Sequence, residues 1–338
     1  MVSMREMNRP EKGRIILEIG GNHQGDPALA RSMVEAAAET GAWAVKFQAY
    51  RVSELVHPDN PAYSELLKEE TDFGLLADLI KLSHDLSLRC GVSVFSREAV
   101  ELACDFKADF IKISSGDIDF HPLIRTAALS GIPLILSTGA SAQSEVDEAL
   151  ALLKAPPLAL LQCTSLYPCP PEDVHLAVMA AWLERGLPAG LSDHSLGTEA
   201  ALMALGESAL AVEKHFTTDR TLKGGDNFMS ILPSEAARLS GREKIPQGDP
   251  RSGPYWGSPV KAPLPSERPD LIRRFAVAGA DIKKGKNLSL NDLVFLRVGP
   301  GPGRRGLLSP GEDFAKYSAG KDLSRGEVIL KKNLRFPR

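Results

Sequence analysis

Between residues 14 and 216, short runs of β-branched and apolar residues alternate with longer stretches of helical period. This alternation constrains the fold more than any other feature of the chain. The strand candidates are "RIILEIG", "WAVKFQ", "RCGVSVF", "DFIKIS", "PLILST", "LALLQCT", "PAGLSD" and "ALAVEKHF", eight in all. Between them lie patterns such as "PALARSMVEAAAETG" and "GLLADLIKLSHDLSL", with apolar residues at i, i+3 and i+4. Gly41 and Gly131 fall where helix C-caps belong. A strand followed by a helix and then another strand implies right-handed crossovers and a parallel sheet. Eight such units in about 200–250 residues predict an α/β chain closed into a (β/α)8 TIM barrel, not an open doubly wound sheet. A dinucleotide-binding alternative fails on the residues. "EIGGNHQG" follows the first strand, but no G-x-G-x-x-G opens the first helix and no acidic residue ends the second strand.

With 338 residues the chain holds such a barrel and a smaller unit besides. The barrel is expected over 1–240. Residues 241–270 carry seven prolines and no periodicity, and read as a linker or a loop laid over another surface. Residues 271–338 contain an internal echo, "DIKKGKNLSLNDL" from 281 and "DLSRGEVILKKNL" from 322. Two copies of a turn and short helix predict a small pseudo-symmetric module.

The composition, 43% apolar and 25% charged, is that of a globular chain with a full core. A formal net charge of −3 argues against a nucleic-acid surface, although a few lysines can still make a local anion site. No apolar run approaches the ~20 residues of a membrane span, and "MVSMREMNRPEKGR" has no apolar signal core. Cys90, Cys104, Cys163 and Cys169 form no C-x-x-C pair and read as reduced thiols. A cytoplasmic location is expected.

A barrel of this kind builds its active site at the C-terminal strand ends. Those positions hold Glu18, Asn22 and His23; Lys46 and Gln48; Ser93 and Ser96; Lys112, Ser114, Ser115 and Asp117; and Ser137 and Thr138. The round continues with Gln162, Thr164 and Ser165, then Ser192, Asp193 and His194, then Glu213, Lys214 and His215. Polar residues at every strand end, on strands otherwise apolar, predict an active site. Lys46 and Lys112 lie within apolar strands, where an unpaired ammonium is costly. Each either snorkels or pairs with a local carboxylate, or both line an anion pocket with "SSG" (114–116) and "STG" (137–139). In the second case Gly116 and Gly139 would admit a phosphate close to the main chain. His194 and His215 end the seventh and eighth strands. Either one by itself reads as a hydrogen-bonded core residue; as neighbours near Glu18, Glu213 or Asp226 they match a mixed N/O site for a divalent metal. His23 could join that site or bind substrate.

The stretches "EIGGNHQGD", "VKFQ", "IKISSGDI", "PLILSTG", "LLQCTSLYP", "GLSDHSLG" and "EKHFT" followed by "GGD", in that order, resemble the sialic acid synthase family. "IRRFAVAGADIKKGKNLSLNDL" resembles the antifreeze-like (SAF) domain that these enzymes carry. The resemblance implies condensation of phosphoenolpyruvate with an open-chain N-acylated amino sugar, N-acetylmannosamine or a related hexose. The products are a nine-carbon 2-keto acid sugar and phosphate. It assigns Lys46, Lys112, Ser115, Ser137 and Ser192 to phosphoenolpyruvate, His194 and His215 to Mn2+ or Mg2+, Glu18 to a proton or water at C2, and Asp226 to the sugar. Asn22, Gln48, Asp117, Thr164, Ser165 and Glu213 complete the expected binding set. It also implies a domain-swapped homodimer in which an arginine of the SAF domain, Arg274 or in reserve Arg273, covers the partner's barrel mouth. Ser165 and Asp117 depart from the family's usual Asn and Glu, which bears on the choice of sugar. Two rivals are a Schiff-base lyase using Lys112 and a non-catalytic sugar-acid-binding protein on the same fold.

Overall fold

The computed structural model describes residues 13–241, 253–300 and 306–336; the N-terminal stretch 1–12 and linker residues 242–252 lie outside it. All eight strand candidates become strands: β1 (Arg14–Glu18), β2 (Ala44–Ala49), β3 (Arg89–Val94), β4 (Phe110–Ile113), β5 (Leu134–Ser137), β6 (Ala159–Cys163), β7 (Ala189–Asp193) and β8 (Ala211–His215). They pair in parallel and in chain order, and β8 returns to β1 to close the barrel. Helices between successive strands cover the outside. The first, Pro27–Ala38, begins where Asp26 accepts from the amides of Ala28 and Leu29, with proline in its first turn. It ends before Gly41, whose φ of +73° suits glycine.

Side chains alternate across each strand. Leu17, Val45, Val92, Ile111, Leu136 and Val212 face outward into the core shared with helix residues such as Met33, Leu76 and Met179. A separate apolar plug of Ile16, Ala44, Phe110, Ile135, Leu161 and Ala211 fills the lower interior. At Gly91 a Cβ would stand 2.1 Å from the Phe110 ring, so only glycine lets that ring into the barrel floor. With the floor sealed, the polar inward residues of the upper turns can open only at the C-terminal mouth. Among the described residues no helix is long and apolar enough to cross a membrane.

Past residue 253 the chain lies against the barrel. Leu176 and Ala177 donate to the carbonyls of Tyr255 and Trp256, and Gln143 donates to that of Lys261. Next, β9 (Phe275–Ala278) pairs antiparallel with β10 (Leu293–Leu296), and β11 (Ser318–Ala319) with β12 (Leu334–Arg335). The internal echo is built as a pseudo-twofold. Ile282 and Leu323, second in their copies, exchange both backbone hydrogen bonds (2.8 and 2.9 Å). Gly285 and Gly326 turn with φ of +85° and +84°. Ile282, Leu288, Phe295, Leu323 and Ile329 form the module's own core. The module docks beside the mouth of its own barrel: the Arg297 amide donates to the Leu55 carbonyl (2.9 Å) and the His57 amide to the Arg297 carbonyl (3.1 Å).

Candidate active site

A cavity of about 340 Å³ opens at the C-terminal strand ends. Strand register sets its charges, aligning Glu18 with both Lys46 and His215, Ser93 with Lys112, and Ser192 with Glu213. Lys46 is ion-paired with Glu18 and donates to Ser93 Oγ at 2.6 Å. Lys112 donates to both oxygens of Glu213 at 2.8 and 3.0 Å, and Lys46 stands 3.9 Å from the same carboxylate. Burial pushes the Glu213 pKa up, but the ammonium groups of Lys112 and Lys46 outweigh it and bring the value down to about 2. Both lysines are therefore held by carboxylates, as buried ammonium groups must be. Each ammonium has three N–H donors, so an incoming anion has to share these cations with Glu18 and Glu213. Ser137 Oγ lines the cavity, buried and without a partner among the described residues.

The glycines of the expected phosphate cradle lie close against other parts of the protein. A Cβ at Gly116 would meet the Ile272 carbonyl at 2.3 Å, and one at Gly139 would meet Ser165 Oγ at 2.1 Å. The Gly139 amide already donates to Ser115 Oγ. At both positions the missing side chain makes room for the protein's own atoms, and Gly116 also lines the cavity.

The two strand-end histidines stand side by side, with ring centroids 5.5 Å apart and planes tilted by 54°. His194 Nδ1 lies 2.8 Å from the Thr164 carbonyl, which can only accept, so Nδ1 carries a proton and Nε2 is the nitrogen with a lone pair when the ring is neutral. Burial lowers the His194 pKa, but Cys163 and the Thr164 carbonyl outweigh it and raise the value. Tyr167 stacks on His194 at 4.1 Å. His215 Nδ1 is 3.5 Å from Asp226 Oδ2. Burial lowers the pKa of His215, and the Asp226 charge opposes this only in part. The charged residues flanking both histidines form a strut. Asp193 and Lys214 face away from the cavity, on the side of the strands opposite Ser192 and Glu213, and pair at 2.8 Å with 0% and 1% side-chain exposure. Asp193 also accepts from the amide and hydroxyl of Ser195, whose carbonyl accepts from Lys214. This clamp ties β7 to β8 and so sets the separation of the imidazoles. Among the described residues, no group of three or more His, Cys, Asp or Glu side chains forms a ready metal cage.

Of the residues expected at the site, Glu18, Lys46, Gln48, Lys112, Ser115, Ser137, Ser165, Ser192, His194, Glu213, His215 and Asp226 line the cavity. Four others do not. Asn22 is buried in loop contacts: it donates to the Phe216 carbonyl and Ser230 Oγ and accepts from the Asp226 amide, thereby placing the Asp226 loop. Thr164 donates its hydroxyl to the Asp173 carbonyl. Asp117 does not face the cavity; its carboxylate pairs with Arg274 at 2.6 Å, both side chains fully buried. Arg274 in turn donates to the Phe95 carbonyl at 2.7 Å. In the single chain the Arg274 guanidinium is thus committed to Asp117 and Phe95 and does not reach the cavity. Its reserve, Arg273, is likewise buried against Asp119 at 3.0 Å. His23 also stays outside, bonded to Thr71 Oγ1 at 3.1 Å. Removing one partner of a buried pair strands the other charge, at a cost of about 3–5 kcal/mol. Arg274→Met is expected to lower stability by that amount in denaturant titrations. Were Arg274 a bridge between two chains, light scattering would instead show dissociation without unfolding.

Leu66, Glu69, Phe95, Tyr167, Ile272 and Arg297 also line the cavity and escaped the sequence reading. Arg297 directly follows β10, and its buried Nε has no partner among the described residues. The strand-end rule, extended to the small module, would have found it. Burial raises the pKa of Glu69, more than the Gly225 amide beside it lowers it.

Comparison with known proteins places these features in a lineage. The model of the NeuB family matches residues 33–244. The chain is 34% identical to the N,N'-diacetyllegionaminic acid synthase of Legionella pneumophila, over 94% of this chain and 93% of that protein. It is 30% identical to the human N-acetylneuraminate-9-phosphate synthase, over 84% and 83%. The crystal structure of the spore coat polysaccharide biosynthesis protein spsE from Bacillus subtilis superposes with a TM-score of 0.80 at 26% identity, over 97% and 96%.

Proposed function

The chain belongs to the NeuB family and is a sugar-acid synthase of the sialic acid synthase type, and on that premise we propose that it condenses phosphoenolpyruvate with an open-chain N-acylated amino sugar. The products are a nine-carbon 2-keto acid sugar and phosphate. The observation that carries this reading is the shared cavity: the Glu18–Lys46 and Glu213–Lys112 pairs and the unpartnered Ser137 hydroxyl lie beside two adjacent imidazoles.

Lys46, Lys112 and Ser137 hold the phosphate and carboxylate of phosphoenolpyruvate, the lysines through donors that their carboxylates leave over. C3 of phosphoenolpyruvate bonds to the aldehyde carbon, and the aldehyde oxygen takes up a proton. Water adds to C2 and gives a proton to Glu18, and the C2–O bond then breaks to release phosphate. Asp226, Glu69 and Arg297 face the acceptor sugar. His194 and His215 fit a divalent ion, Mn2+ or Mg2+: the Thr164 carbonyl leaves a coordinating nitrogen on His194, and water or sugar oxygens complete a two-imidazole set. Such an ion, when bound, supplies Lewis-acid polarisation of the aldehyde. A homodimer belongs to the same reading.

Mass spectrometry of phosphoenolpyruvate incubated with a panel of amino-sugar aldoses tests it. One acceptor is expected to give the condensed acid, with phosphate released in equal amount. Binding of phosphoenolpyruvate without phosphate release across the panel would identify a binding protein. A borohydride-trapped pyruvate adduct on Lys112 would identify a lyase.

A further inference from the structure

The segment from Lys261 to Arg273, which joins barrel and module, ends its polar side chains on the backbone of two barrel loops. Lys261 donates to Gln162 Oε1 and the Cys163 carbonyl, both at 3.1 Å. Glu267, only 3% exposed, accepts with one oxygen from the amides of Ala140 (2.5 Å) and Ser165 (2.8 Å). Its other oxygen accepts from the Leu264 amide at 2.8 Å. Arg273 donates to the Ala140 carbonyl and Ser141 Oγ, both at 3.1 Å. These loops follow β5 and β6; Ser137 ends β5 and Ser165 lies in the second loop, and both side chains line the cavity.

A buried carboxylate close to an anion site repels the anion, and burying it is costly unless several donors satisfy it. Glu267 has three donors, and two of them belong to the loops that shape the cavity. We propose that Glu267 is a positioning residue for phosphoenolpyruvate. By tying the Ala140 and Ser165 amides together from behind, it fixes the Ser137 and Ser165 hydroxyls in front. The strap between the two folded units is then a wall of the active site as well as a tether. This inference rests on the proposed reaction.

The test uses the full chain with Glu267→Ala and the conservative Glu267→Gln, which keeps one acceptor oxygen. Glu267→Ala is expected to raise KM for phosphoenolpyruvate about tenfold, with kcat within about threefold and the acceptor's KM unchanged, as befits loss of ground-state binding. Glu267→Gln should recover part of that loss. Hydrogen exchange should quicken at the Ala140 and Ser165 amides and stay unchanged in the barrel strands. An unchanged KM for phosphoenolpyruvate despite faster exchange would reduce the strap to a mechanical staple and overturn the proposal. So would a fall in all kinetic constants that tracks a lower melting temperature. If the wild type releases no phosphate from any acceptor, the reaction is wrong, and calorimetry with phosphoenolpyruvate decides the positioning separately. A tenfold weaker affinity in Glu267→Ala sustains it; equal affinities, or no binding to the wild type, overturn it.

Discussion

EDTA will abolish phosphate release from phosphoenolpyruvate and sugar, and added Mn2+ will restore it. The proposed ion site is a pair of imidazoles ending adjacent strands, one with its Nδ1 committed to a backbone carbonyl, a donor pair that a divalent ion would complete. Polarising a carbonyl is worth several kcal/mol, so the loss should reach about a thousandfold. His215→Ala should behave like the chelated wild type. It should also lose bound Mn2+ in spin-resonance titrations while keeping its melting temperature, because the ring sits on the mouth side of the strand and contributes little to the core. Full activity in chelator would remove the ion from the mechanism. An unfolded His215→Ala, together with a wild type that binds no Mn2+, would make the histidine a structural residue.

Lys112→Met is expected to have the other large effect, and it acts on both activity and stability. The substitution removes a cation from the proposed anion pocket, which should lower kcat/KM by about a thousandfold or more. It also strands Glu213 in the barrel interior, at a cost of about 3–5 kcal/mol. The pH dependence separates the two effects. With its folded pKa lowered to about 2, Glu213 contributes stability in full above its unfolded value of about 4.3. That contribution fades as pH falls from there toward 2. The stability gap between wild type and Lys112→Met should therefore be widest near neutral pH and narrow in acid, as read by urea unfolding along a pH series. A gap independent of pH would mean that lost packing, and not the Glu213 charge, sets the cost.

The strands were readable because their signal is local. "WAVKFQ" and "ALAVEKHF" carry apolar residues for the outer face and place Lys46 and His215 near the mouth, whatever the rest of the chain does. The same locality located most of the cavity, since position along a barrel strand fixes height above the floor. The partners of Arg274, Asp117 and Glu267 were not readable, for the opposite reason. Each of these residues makes a contact whose partner is remote in the chain. Arg274 meets Asp117 across 157 positions, and Glu267 meets the Ala140 amide across 127. Asp193 and Lys214 are 21 positions apart, and their pairing becomes visible only once β7 and β8 lie side by side.

By itself the sequence determined the number and order of strands, their apolar bodies, and the ring of charged and hydroxyl side chains at their C-terminal ends. Only the tertiary structure decided which charge neutralises which, that Arg297 and not Arg274 lines the cavity, and that Glu267 ties together the loops after β5 and β6. Periodicity is a property of neighbours in the chain. Pairing of a buried charge is settled by whichever opposite group the packed fold brings within hydrogen-bond reach, and chain distance has no say in that.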